Sequence, residues 1–71
     1  MKMQTIHIFI NGIKKNINSE TQLELLLNSL DIDVDTIAVE VNKEVIPKSK
    51  YKMIKLKKND EIEIVQFIGG G

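Results

Sequence analysis

The chain has 71 residues, ten basic and ten acidic side chains and no cysteine, which permits one domain with a small core and excludes a disulfide framework, a thiolate metal site and a side-chain thiol nucleophile. The balanced charge offers no global field for nucleic acid or anionic lipid, and every basic residue is lysine, so the guanidinium fork that reads phosphate and guanine is missing. No apolar run reaches membrane-spanning length, and residues 1–5 lead directly into a strand pattern, so the expectation is a soluble, cytoplasmic protein with no nucleic-acid or membrane partner.

Ile6, Ile8 and Ile10 alternate with His7 and Phe9, a period-two pattern with apolar side chains on both faces that predicts a buried strand. Asn11-Gly12 supplies the positive φ values of a type I′ hairpin turn, and residues 13–17 return as a second, more polar strand suited to a sheet edge. Ser19-Glu20-Thr21-Gln22 fits a capping box, with Glu20 complementing the dipole at the start of a helix. Leu23, Leu26, Leu27 and Leu30 then form one apolar stripe at i, i+3, i+4 and i+7, the only substantial helix pattern in the chain. Asp31, Asp33 and Asp35 are unfavourable near a helix C-terminus and predict a solvated loop.

Ile37, Val39 and Val41 give a third strand with one buried face, which Asn42-Lys43 turns into a short fourth strand, Glu44-Val45-Ile46, ended by Pro47. One irregular helical turn is expected over residues 49–52 and a short apolar stretch at Met53, Ile54 and Leu56. Residues 61–68 form the last strand. One helix cannot cover both faces of five strands, so the sheet is mixed, with one face on the leucine stripe and the other in water. The first and last strands are the most apolar and are placed side by side and parallel at the centre. A right-handed crossover then gives the order 2-1-5-3-4, an α+β chain with the β-grasp architecture, in one domain spanning residues 1–71 with a flexible tail at 69–71.

Gly69-Gly70-Gly71 follows the last strand without a spacer. A carboxylate at Gly71 on a thread without side chains can slide into a narrow catalytic tunnel, whereas the bland alternative is a frayed terminus. Strand parity puts Ile62, Ile64, Gln66 and Ile68 on one face and Glu61, Glu63, Val65 and Phe67 on the other. The outward face thus turns from acidic to apolar beside the glycines. Val65 and Phe67, with the adjoining Ile68, form a candidate docking patch for a partner that threads the tail; the competing reading buries Phe67 in a satellite core. Lys48, Lys50, Lys52, Lys55, Lys57 and Lys58 could dock an acidic partner but fit a solvated face. His7 has no second ligand for a metal, and Glu61 and Glu63 have no supporting group for acid/base work, so both read as strand-face residues.

Over nearly its whole length the chain resembles the small sulfur carrier proteins of thiamine biosynthesis, which are ubiquitin-like β-grasp proteins. The resemblance rests on Asn11-Gly12, the leucines from Leu23 to Leu30, Ala38-Val39-Glu40-Val41-Asn42, Val45-Ile46-Pro47-Lys48-Ser49 with Tyr51, and Asp60 with the run from Ile62 to Gly71. It implies that an adenylating, E1-like enzyme uses ATP and magnesium to join the Gly71 carboxylate to AMP. A sulfur donor enzyme then displaces AMP to leave a C-terminal thiocarboxylate, which thiazole synthase consumes. It implies further that Gly69 and Gly70 thread the tail, and that the chain is a carrier with no cofactor and no catalysis of its own. Two related roles share the tail: the small subunit of molybdopterin synthase, which would form a stable heteromer, and a ubiquitin-like modifier, which would form conjugates on lysines.

Overall fold

The structure, a computed structural model, describes residues 4–67. Strand β1 (Thr5–Ile10) and strand β2 (Ile13–Asn18) form the predicted antiparallel hairpin. Its turn has φ of 49° at Asn11 and 82° at Gly12, the two positive values of a type I′ turn. A second turn of the same kind, with φ of 53° at Asn42 and 70° at Lys43, joins β3 (Ile37–Val41) to β4 (Glu44–Ile46). The last strand, β5 (Glu61–Gln66), runs parallel to β1 and antiparallel to β3. The sheet order is β2-β1-β5-β3-β4, as the sequence predicts.

The helix α1 (Leu23–Ser29) buries Leu23, Leu26 and Leu27, while Leu30 is half-buried at its C-cap. These leucines share one core with Ile8 of β1, Ile37 and Val39 of β3 and Ile62 of β5. Tyr51 and Leu56 complete it, at 4% and 1% exposed. Met53, expected in the same apolar stretch, lies outside the core at 73% exposed.

The start of the helix differs from the sequence expectation. Ser19 and Glu20 do not enter it: Glu20 has φ of 64°, the left-handed region, and the N-cap is Gln22 without a side-chain hydrogen bond. The free N–H groups of the first turn are instead met by backbone from far along the chain. Leu23 N–H donates to the Ile54 carbonyl at 2.8 Å and Glu24 N–H to the Tyr51 carbonyl at 3.1 Å. In return Leu56 N–H donates to the Thr21 carbonyl at 2.8 Å, beside an antiparallel bridge between Gln22 and Lys55. Orphan donors at a helix start must find partners, and here a tertiary segment supplies them.

Asp33 caps a 3-10 turn (Val34–Thr36) by accepting from the Asp35 N–H at 3.0 Å. A second such turn (Lys48–Lys50) follows Pro47, one residue ahead of the expected place.

Candidate functional site

Everything that could present the tail is organised by β5. Its inward residues anchor it: Ile62 is fully buried and Ile64 half-buried in the core. At its start Asn42 holds the strand twice, accepting the Glu61 N–H on Oδ1 at 3.0 Å and donating Nδ2 to Asp60 Oδ1 at 3.0 Å. Along one side β3 pairs with it from Val41 opposite Ile62 to Ile37 opposite Gln66. Phe67 N–H extends this ladder to the Thr36 carbonyl at 2.7 Å.

The other side is shorter. Phe9 N–H reaches the Asp60 carbonyl and Asn11 N–H the Ile62 carbonyl, each at 2.9 Å, and there β1 turns away. The Asn11 side chain then serves as one further rung: Oδ1 accepts the Ile64 N–H at 2.8 Å and Nδ2 donates to the Ile64 carbonyl at 3.2 Å. A sequence reading of Asn11 as a turn residue gives no hint of this second use. The amide side chain has the same donor and acceptor as a peptide group.

On the outward face the parity is as expected. Val65 is 57% and Phe67 56% exposed, which excludes the satellite-core alternative for Phe67. Val65 lies opposite Ala38, and Glu63 opposite Glu40, so an apolar patch adjoins an acidic one at the end of β5. The remaining candidate positions, Ile68, Gly69, Gly70 and Gly71, lie outside the described residues.

The other sequence candidates are not gathered into a site. His7 is half-buried, with its ring edge-on to Phe9 at 5.8 Å between centroids, and no cluster of metal-ligating side chains exists among the described residues. Glu61 and Glu63 are exposed. The six lysines between Lys48 and Lys58 are all exposed; Lys48 pairs with Asp35, and Lys55 with Glu20 at 3.5 Å. Among the described residues no helix is long and apolar enough to cross a membrane.

The sequence model of the ThiS family matches residues 8–71. The chain is 46% identical over 46 residues to the sulfur carrier protein ThiS of Bacillus subtilis, covering 65% of this chain and 70% of that protein. It is 42% identical over 64 residues to the thiazole synthase of Paramagnetospirillum magneticum, covering 90% of this chain but only 20% of the relative. The chain therefore spans about a fifth of the length of that relative. Among solved structures, the thiamine biosynthesis protein ThiS of Geobacter metallireducens superposes with a TM-score of 0.80 at 26% identity, over 93% of this chain and all of the other.

Proposed function

The chain belongs to the ThiS family, and on that premise we propose that it is a sulfur carrier for thiamine thiazole formation whose working group is the Gly71 carboxylate. The observation that carries this is the junction of strand and tail: a core-anchored β5 ends in an exposed Val65/Phe67 patch, immediately before Gly69-Gly70-Gly71. An ionised C-terminal carboxylate, with a pKa of about 3.3–3.7, is a poor acyl donor at neutral pH. It has to be activated. A carboxylate oxygen attacks the α-phosphorus of ATP and pyrophosphate leaves, giving an acyl adenylate on an E1-like enzyme. A sulfur nucleophile from a donor enzyme then attacks the acyl carbon and expels AMP, and the resulting thiocarboxylate delivers sulfur to thiazole synthase. Proteins named thiazole synthase that contain a stretch 42% identical to this chain support that last partner. ATP and magnesium belong to the activating enzyme, and the carrier's own contribution is binding and presentation, in the cytoplasm.

The test varies the tail and the patch separately. Removing Gly70 and Gly71 shortens the reach by roughly 7 Å at ~3.3–3.6 Å per residue, and Gly70→Val adds bulk where the thread must be thin. Both changes, and a one-residue extension beyond Gly71, are expected to abolish ATP–pyrophosphate exchange with the adenylating enzyme. Intact mass should then show no replacement of oxygen by sulfur, while the melting temperature stays unchanged. Phe67→Ala is expected to keep stability too, yet to raise the carrier concentration needed for adenylation, because an exposed aromatic anchor acts at an interface and not in the core. Full sulfur loading of the truncated chain sinks the proposal.

A further inference from the structure

The backbone of β5 is satisfied on its β3 side along its whole length but runs out of partners on its β1 side. Alternate residues of a strand turn their N–H and C=O groups to the same side, and on the β1 side the residues concerned are Asp60, Ile62, Ile64 and Gln66. The first two meet β1 and its turn, and Ile64 meets the Asn11 side chain. Gln66 has nothing opposite it. It is in register with Ile37 on the β3 side, and the bond from Phe67 N–H to the Thr36 carbonyl makes that a pair without mutual hydrogen bonds, so the Gln66 backbone groups face away from β3. The register between β1 and β5 ends at Ile10 opposite Ile62. The sheet therefore has an open stretch of edge in its interior, beginning at Gln66, between the two exposed apolar side chains and at the root of the tail.

Resting on the carrier reading above, we propose that this edge is where the adenylating enzyme takes hold, by laying an extended segment of its own chain beside β5 from Gln66 onward. The occupant is an extended peptide because the free groups are one backbone donor and one backbone acceptor in strand geometry, the recognition elements of strand addition. Such pairing fixes the register of the tail, so that the terminal carboxylate arrives at one depth in the partner. Val65 and Phe67, whose side chains point out of the sheet, are then gripped from the face while the backbone is gripped from the edge.

The test is amide hydrogen exchange at Gln66, read by NMR in the free full-length chain and in its complex with the ThiS-family adenylating enzyme of the same organism. The amide should exchange rapidly in the free chain and slow by about 100-fold or more in the complex. Gln66→Pro removes the N–H at a position where no described group uses it, which sheet edges tolerate, and should weaken binding about tenfold or more, whereas Gln66→Ala keeps the N–H and should bind nearly as the parent does. A Gln66 amide already protected in the free chain, unchanged exchange in the complex, or protection that rises with the chain's own concentration overturns the inference. If exchange is unchanged while Gly71 is still adenylated, the edge assignment falls and the carrier reading stands. If no complex forms and no adenylation occurs, both fall.

Discussion

Asn11 carries two independent loads, and they can be separated by substitution. Its φ of 49° lies in the left-handed region, where an L-residue without a local hydrogen bond is strained by about 1–2 kcal/mol, and its amide supplies the rung to Ile64. Asn11→Gly keeps the turn and loses only the rung, so urea denaturation should report a loss of about 1 kcal/mol. Asn11→Ala loses both and should cost about 2–3 kcal/mol. Equal losses in the two variants would mean that the rung contributes everything and the turn nothing.

At the scale of elements, the helix is held by its packing far more than by its ends. Leu26→Ala removes a side chain 2% exposed in a one-layer core and should cost about 2–5 kcal/mol, much of the stability of so small a domain. Ser19→Ala, by contrast, should change the denaturation midpoint little, because Ser19 caps nothing in the helix that begins at Leu23; a loss above about 1 kcal/mol would restore the capping box. The leucine stripe and the Asn11-Gly12 turn are legible in the sequence because each is a local rule, one of periodicity and one of backbone conformation. The helix start is not, since its donors are met by the carbonyls of Tyr51 and Ile54, and a backbone carbonyl carries no residue-specific signal. Tyr51 and Leu56 enter the core from a segment without strand or helix period, so the sequence pattern did not mark them as buried. The outward Val65 and Phe67 followed from parity alone, whereas the open edge at Gln66 depends on where β1 stops relative to β5, a register between segments some fifty residues apart.

For the molecule as a whole, Tyr51 links stability to alkaline pH. Burial pushes its phenol above the ordinary value of 10.0, so the folded chain keeps a proton that the unfolded chain releases. The contribution is complete below a pH of about 10 and is lost as pH rises through the folded value. Tyr51→Phe should therefore show a shallower fall in urea midpoint than the parent between about pH 9 and 11; identical slopes would show that the phenol is not desolvated.

The parallel pairing of β1 with β5 has one more consequence, which concerns synthesis. The first strand made must wait for the last before the centre of the sheet can close, because only β5 joins the β2-β1 hairpin to the β3-β4 hairpin. A nascent chain that stops short of β5 has two hairpins and no shared ladder between them, and isolated hairpins are marginal in water. Completion of translation through β5 is thus a condition of folding, and a partner that recognises the closed sheet sorts finished chains from aborted ones without inspecting the tail at all.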